Sequence, residues 1–192
     1  TGYSPFFECN FAIFNNVSTH VFQFIRSHAV CYTHIKISAI LKSVRFEAPM
    51  NSLKNGEAAP EIALRDVFDQ EWKLSDRPGR MTCLFFARGE YCPTTRGEMA
   101  LWNSFAHILK KNNCDLVFLV NGGKQEHRVF AEALRLRPPT LVDEDGSVGN
   151  AYNIYGVNSG EKKREDYKNY TAPSIYLLDG DGLISCYWIS SA

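Results

Sequence analysis

Hydrophobic and polar positions alternate regularly only after residue 50 of this chain. Two nearly continuous apolar runs, residues 80–87 and 116–120, are typical of strands that are buried on both faces of a sheet. Between them, apolar side chains recur every three or four residues over residues 95–111, which predicts an amphipathic helix. A second helix is predicted over residues 125–136, before a pair of prolines.

Shorter apolar segments predict the remaining strands, at residues 62–67, 72–74, 140–142, 174–178 and 183–189. The last two flank Asp179-Gly180-Asp181-Gly182, which is typical of a hairpin turn. Strands that alternate with helices predict an α/β protein with a mixed, mostly parallel sheet and helices on both of its faces.

Residues 1–49 differ from the rest of the chain, since they carry few charges, many aromatic side chains and no clear period. We therefore divide the chain into an extension of unassigned structure, residues 1–49, and one α/β domain, residues 50–192. Two interpretations of the extension remain open. It is either an upstream segment without a function of its own or an ordered segment that binds a partner or forms a dimer.

Composition and charge exclude several classes of protein. The 192 residues are 45% hydrophobic and 22% charged, which is ordinary for a folded domain, and the formal net charge is zero. A neutral chain without a basic stripe has no general attraction to nucleic acid. The longest uncharged stretch near the start, residues 9–25, contains too many polar side chains to span a bilayer. We therefore expect neither a nucleic-acid partner nor a membrane.

The six cysteines are widely spaced, with no Cys-x-x-Cys pair and no histidines at metal-finger spacing. We expect reduced thiols in a cytoplasmic protein and no metal site. Cys83, Cys114 and Cys186 fall in predicted strands and are interpreted as small buried side chains. Cys9 and Cys31 lie in the extension.

Cys92 has a different setting, because it stands where a buried strand passes into a helix and Pro93 follows it. Proline suits the first helical position, so Cys92 falls at the N-cap, where free N–H groups and the helix dipole favour a thiolate. Thr95 is placed to donate its hydroxyl to the sulfur, and Arg88 to add positive charge. Weaker candidates for a charged neighbour are Arg96, Arg128 and Glu90. A cysteine that merely fits a tight turn is the alternative, which Cys-Pro at a helix start makes less favoured.

Three segments in order, residues 56–60, 85–96 and 171–184, resemble the peroxiredoxin-like proteins of the alkyl hydroperoxide reductase/thiol-specific antioxidant superfamily. The resemblance covers residues 50–189. It implies a thioredoxin-like three-layer sandwich in which Cys92 is the nucleophile. It also implies that Pro173 is a cis-proline facing Cys92, with Thr171 and Ala172 presenting backbone groups to the substrate. The resemblance implies no cofactor and allows a homodimer. The covering helix that normally ends this fold is expected to be missing, since the sequence stops three residues after position 189.

The sequence departs from the pattern of that superfamily at three positions. Typical peroxidatic sites have Thr or Ser three residues before the cysteine and Pro seven before it, where this chain has Gly89 and Phe85. Thioredoxin-type enzymes have a second cysteine three residues after the first, where this chain has Thr95. We therefore expect a one-cysteine cycle that reduces hydroperoxides with an external thiol as reductant. The alternatives are thiol–disulfide exchange and a redox-inactive interaction module.

Overall fold

A computed structural model describes residues 53–89, 92–155 and 171–189. The predictions for residues 1–49, for Glu90 and for the chain after Ile189 lie outside the described residues. The strands are β1 (Ala63–Arg65), β2 (Glu71–Lys73), β3 (Met81–Ala87), β4 (Cys114–Val120), β5 (Thr140–Val142), β6 (Ser174–Leu178) and β7 (Ile184–Ile189). The helices are α1 (Pro93–Lys111), α2 (Lys124–Leu134) and α3 (Ser147–Ala151).

Five of these strands form one sheet in the order β5-β4-β3-β6-β7, and β1 pairs with β2 in a separate hairpin. The pairs β3–β4 and β4–β5 are parallel, whereas β3–β6 and β6–β7 are antiparallel. The predicted mixed α/β sheet is confirmed, although its pairings are evenly divided rather than mostly parallel. The parallel half follows from the helices that connect β3, β4 and β5, since parallel neighbours need a crossover.

One face of the sheet is covered by the two long helices. Phe85 of β3 packs against Phe118 of β4, with ring centroids 5.6 Å apart, and against Trp102 of α1 at 6.0 Å. The end of α2 lies against α1, since the Asn103 side-chain amide donates to the backbone carbonyl of Arg135 at 3.2 Å. Helices α1 and α2 therefore share this face.

The opposite face, which carries the alternate residues of β3 and β4, forms the main hydrophobic core. The β1–β2 hairpin and the short helix α3 cover it, so the predicted helices on both faces are present only in reduced form. The core side chains include Leu84, Phe86, Val117, Leu119, Tyr152, Tyr176 and Leu178, with Trp72 from the hairpin and Val148 from α3.

The helix ends differ slightly from the predicted ones. Helix α1 begins at Pro93, with Cys92 as its N-cap, which confirms the predicted strand-to-helix junction. Helix α2 ends at Leu134 because Arg135 has a left-handed backbone conformation, with φ of 50°. The Leu136 N–H then donates to the carbonyl of Ala131 at 3.0 Å, so a local turn ends this helix before the prolines.

A bidentate ion pair joins the start of β3 to β4. Arg80 Nε and Nη2 donate to the two carboxylate oxygens of Asp115, each at 2.8 Å. The hydrogen bond from Arg80 lowers the pKa of Asp115 against the opposing effect of burial. A carboxyl with a lowered pKa in the folded state stabilises the protein above its unfolded pKa, and this stabilisation is lost as pH falls through the folded pKa.

We therefore expect Asp115→Asn to lower the Tm at pH 7 by about 2 °C. The difference from the wild type should shrink as pH falls below about 4, where unfolded Asp takes up its proton. Thermal unfolding followed by circular dichroism at pH 7, 5 and 3 measures this. Glu71→Gln, which breaks the more exposed pair with Arg65, is the control and should change the Tm less. An equal difference at all three pH values would contradict the expectation.

Candidate active site

The site lies at the edge of the sheet where the parallel strands β3 and β4 end. Cys92 caps α1 just beyond the end of β3. In the antiparallel pairing of β3 with β6, Phe86 lies opposite Ser174. The residues just before Ser174, which include Pro173, therefore reach the same edge as the residues that follow Ala87. Sequence positions about 80 residues apart thus meet at one edge.

Cys92 is a half-buried free thiol whose surroundings favour the thiolate. Burial opposes ionisation, yet hydrogen bonds from the backbone and hydroxyl of Thr95 and from the backbone of Thr94, with the positive charge of Arg88, lower its pKa. Thr95 and Arg88 are thus among the groups that lower this pKa, and their roles at the site stay predictions. Cys92 therefore has the features of a nucleophilic cysteine.

The turn between β3 and α1 explains why the chain has glycine at position 89. Gly89 is buried, and its φ of 129° is a conformation that other residues rarely adopt. Its carbonyl accepts the Cys92 N–H at 3.3 Å, which closes the turn before the helix. A Thr or Ser at this position, as in typical peroxidatic sites, would be strained. The backbone conformation of this turn therefore explains why position 89 is Gly and not Thr or Ser.

The weaker candidates for a charged neighbour have other contacts. Arg96 is exposed and lies over the ring of Phe130 in α2, at 5.6 Å from its centroid. Arg128 pairs with Glu132 at 3.2 Å and is exposed, as expected for a residue on a solvated helix face. Among the described cations, Arg88 is the one whose charge acts on the Cys92 sulfur.

The segment before β6 lies at the site edge, but its backbone differs from the one that the resemblance implied. Every peptide bond in the described ranges is trans, so the prediction of a cis bond before Pro173 is wrong. An X–Pro bond prefers trans by about 0.5–1 kcal/mol unless its surroundings enforce cis, and here Ala172 is already anchored. Its N–H donates to the carbonyl of Ile154 at 2.8 Å, and its carbonyl accepts the Ser174 hydroxyl at 3.2 Å. The Ala172 N–H is therefore engaged within the protein, and Thr171 is buried opposite Tyr155.

The other cysteines in the described residues are buried free thiols in strands, as predicted. Burial raises the pKa of Cys83 well above its usual value, that of Cys114 to about 12 and that of Cys186 to about 11. Among the described cysteines, Cys92 is the one that combines partial exposure with a lowered pKa.

Glu98 is a site residue that the sequence analysis did not single out. It is 7% exposed on the buried side of α1, which also carries Thr95, Met99 and Trp102. Burial raises the pKa of its carboxyl, and the charge of Arg88 opposes this shift. The sequence contained one indication of this position. Glu98 lies three residues after Thr95 and four before Trp102, a spacing that puts all three side chains on one face of a helix.

Two properties of the described residues concern metal ions and membranes. In residues 53–89, 92–155 and 171–189, no group of three or more His, Cys, Asp or Glu side chains is arranged to hold a metal ion. Within the same ranges, no helix has the length and apolar character needed to cross a bilayer.

Replacing Thr95 by Val removes the hydroxyl at nearly constant volume, and Thr95 is only 2% exposed. A hydrogen bond to a charged group contributes about 1.5 kcal/mol, so we expect the thiolate fraction of Cys92 near neutral pH to fall about tenfold. The pH dependence of Cys92 alkylation by iodoacetamide, followed by peptide mass spectrometry, measures this. Thr94→Val keeps the backbone donor and is the control, with little expected change. Equal effects of the two substitutions would argue against the hydroxyl.

Residues 55–186 match the AhpC/TSA family. The chain is 35% identical over 129 residues to thiol-disulfide oxidoreductase ResA of Geobacillus kaustophilus, which covers 66% of this chain and 64% of that protein. It is 27% identical over 135 residues to peroxiredoxin Bcp of Escherichia coli, which covers 70% of this chain and 85% of that protein. The chain thus spans slightly less than two thirds of the ResA relative.

The solved structures agree on the fold. The crystal structure of peroxidoxin BcpB from Mycobacterium tuberculosis superimposes with a TM-score of 0.63 at 18% identity, covering 73% of this chain and 88% of that chain. At this identity the likeness concerns the fold alone. The sheet order and the helix α1, which begins at Pro93, are therefore those of a thioredoxin-like α/β fold.

Proposed function

The chain belongs to the AhpC/TSA family, and we propose that it reduces hydroperoxides with the thiolate of Cys92. The observation that carries this proposal is the environment of the sulfur. It lies at the N-terminus of α1, and the neighbouring Thr95, Thr94 and Arg88 lower the pKa of its thiol against the opposing effect of burial. A lowered pKa raises the fraction of thiolate, which is the nucleophilic form of the side chain.

In the first step, the Cys92 thiolate attacks one oxygen of the peroxide. The S–O bond forms as the O–O bond breaks, so sulfur loses two electrons and the peroxide gains them. The leaving alkoxide or hydroxide takes a proton from solvent and departs as alcohol or water, which leaves sulfenic acid on Cys92. Arg88 favours this step because a positive charge near the sulfur stabilises the negative charge that moves onto the leaving oxygen.

Regeneration requires a thiol from outside the described residues. Thr95 occupies the position of a resolving cysteine, and Cys83, Cys114 and Cys186 are buried in strands. In our proposal an external thiol attacks the sulfenic sulfur and water leaves, which forms a mixed disulfide. A second thiol then attacks the external sulfur of this disulfide and releases Cys92 as the thiolate.

The proposal also covers the cellular compartment, the residues that contact the substrate and the oligomeric state. The free thiols at all four described cysteines support a reducing compartment such as the cytoplasm. Pro173, which precedes β6 at the site edge and is half-buried, is the proposed substrate-contacting residue, while Thr171 is buried in the same segment. The homodimer that the resemblance allows is tested by sedimentation velocity on the full chain.

The second candidate is thiol–disulfide exchange, in which the Cys92 thiolate attacks a disulfide sulfur instead of a peroxide oxygen. The same lowered pKa serves both reactions, and the relative with 35% identity is described as a thiol-disulfide oxidoreductase. The two candidates differ in the first product, which is sulfenic acid for peroxide and a mixed disulfide for exchange.

The deciding experiment adds one equivalent of cumene hydroperoxide, hydrogen peroxide or glutathione disulfide to the reduced full chain. Dimedone then traps sulfenic acid, and mass spectrometry locates the adduct. We expect a dimedone adduct on Cys92 with a peroxide, and peroxide loss in proportion. A glutathione adduct on Cys92 without peroxide loss would favour exchange. A chain that reacts with neither would overturn both proposals and support the interaction module.

A further inference from the structure

Arg96 is an exposed cation one helical turn from the Cys92 thiol. Its backbone N–H donates to the carbonyl of Cys92 at 3.1 Å, which is the first hydrogen bond of α1. Residues four apart in a helix are neighbours, with Cβ atoms about 5–6 Å apart, and helical side chains lean toward the N-terminus. The Arg96 side chain therefore starts beside Cys92 and leans toward the end of α1 that Cys92 caps.

A ring on the neighbouring helix fixes the other end of this side chain. The guanidinium carbon of Arg96 lies over the ring of Phe130 in α2, at 5.6 Å from its centroid, and Phe130 is 7% exposed. A cation–π contact with a buried ring favours one position of a side chain that otherwise samples many rotamers. A guanidinium has five N–H donors, more than one contact engages, so this group can also bind a carboxylate with paired hydrogen bonds.

The charges around this end of α1 favour an anion. The first turn of α1 contains no acidic residue, and the helix dipole places partial positive charge there. Glu98, the acidic residue of α1, is buried on the inner side of the helix, whereas Arg96 is exposed. Arg96 therefore provides a fixed positive charge on the outer side of the helix end that carries the thiol.

We propose that Arg96 binds a carboxylate on the thiol that regenerates Cys92, so that the reductant is an anionic low-molecular-weight thiol. The inference rests on the proposed function, in which an external thiol attacks the sulfenic sulfur of Cys92. The S–S bond forms as the S–O bond breaks, and the leaving hydroxide takes the proton of the thiol and departs as water. The sulfenic sulfur is reduced and the external thiol is oxidised. Because the two sulfurs are then bonded, a carboxylate near the external sulfur lies within reach of a cation one turn along α1.

The test compares two disulfides that differ in charge, bis(2-carboxyethyl) disulfide and bis(2-hydroxyethyl) disulfide, in their reaction with the reduced full chain. Each forms on Cys92 the mixed disulfide that the corresponding thiol would form, and peptide mass spectrometry follows the rate at this residue. We expect Arg96→Gln to lower the ratio of the anionic to the neutral rate about threefold to fivefold. Both rates are proportional to the thiolate fraction, so a change in the pKa of Cys92 cancels from this ratio.

Arg128→Gln is the matched control. Arg128 is also an exposed arginine over a phenylalanine ring, that of Phe68 at 5.7 Å, but it lies on α2 and not beside Cys92. Its replacement should leave the ratio unchanged. Arg96→Lys keeps the charge without the planar guanidinium and should retain part of the preference for the anionic disulfide. Higher ionic strength should lower the ratio in the wild type, because salt screens exposed charges.

Two results would overturn the inference. An unchanged ratio in Arg96→Gln, including an equal fall of both rates, would mean that Arg96 does not bind the carboxylate. A fall of the same size in Arg128→Gln would assign the preference to the general charge of the surface. The rate with the neutral disulfide shows in each variant that the site is intact.

This readout separates the inference from the proposed function, because neither disulfide requires peroxide turnover. A preference for the anionic disulfide that depends on Arg96, without peroxide reduction, would refute the peroxidase and leave the binding of a carboxylate intact. Peroxide reduction without this preference would refute only the role of Arg96.

Discussion

Cys92→Ser is expected to lower the rate of hydroperoxide reduction at least about a thousandfold while leaving the protein folded. Serine keeps the size and position of the side chain but replaces the thiolate by a hydroxyl that is not ionised near neutral pH. The hydrogen bonds of Thr94 and Thr95, which lower the pKa of the Cys92 thiol, cannot turn a hydroxyl into an anion at this pH. The step that breaks the O–O bond then has no nucleophile.

Stability should not fall, because Cys92 is the N-cap of α1 and serine is among the preferred N-cap residues. Peroxide consumption with excess dithiothreitol as the thiol, compared with the Tm of each variant, measures both effects. Cys186→Ala is the control, since this thiol is buried in β7, and it should keep the activity even if its Tm falls. Peroxide consumption that survives Cys92→Ser at more than a few per cent would require a different nucleophile.

The strand and helix pattern could be predicted from the sequence because its signals are local. The apolar run that became β3 and the three- to four-residue spacing that became α1 need no knowledge of distant residues. The same is true of the junction itself, since Cys92 followed by Pro93 specifies an N-cap and a first helical turn. Thr95 was within reach of the sulfur for the same reason.

What could not be predicted depends on contacts between distant segments. The short helix α3 has only five residues and no clear period, and side-chain bonds from a residue outside it hold its start. Burial of the Glu98 carboxyl among the apolar side chains of α1 likewise depends on packing between elements. The hydrogen bond from the Ala172 N–H to Ile154 joins two segments that no local pattern relates, and the bond before Pro173 is trans where the resemblance implied cis.

The largest effect on stability is expected at Asp143, which follows β5 and is 2% exposed. Its carboxyl oxygens accept the N–H groups of Val148 at 3.1 Å and Gly149 at 2.8 Å. Asp143→Ala leaves these two donors buried without an acceptor. Each unsatisfied buried group costs about 1–3 kcal/mol, so we expect the free energy of unfolding to fall by about 2–4 kcal/mol.

The loss of the Asp143 carboxyl should also affect the segment before β6, which lies at the edge of the site. The carbonyl of Gly149 accepts the N–H groups of Ile154 at 2.9 Å and Tyr155 at 3.2 Å, and Ile154 in turn accepts the N–H of Ala172. Asp143 therefore supports, through α3, the segment that carries Thr171 and Pro173 to the end of β3. We expect Asp143→Ala to slow peroxide reduction even at temperatures where the variant is still folded.

Urea unfolding at pH 7, with peroxide consumption measured well below the midpoint, tests both expectations. Asp145→Ala is the matched control, because Asp145 lies in the same turn and its exposed carboxyl accepts the N–H of Ser147 at 2.9 Å. It should unfold at nearly the wild-type urea concentration and keep its activity. Asp143→Asn retains one acceptor oxygen and should fall between the two. If both Asp→Ala variants unfold together, burial of the Asp143 carboxyl is not what anchors α3 and the site edge.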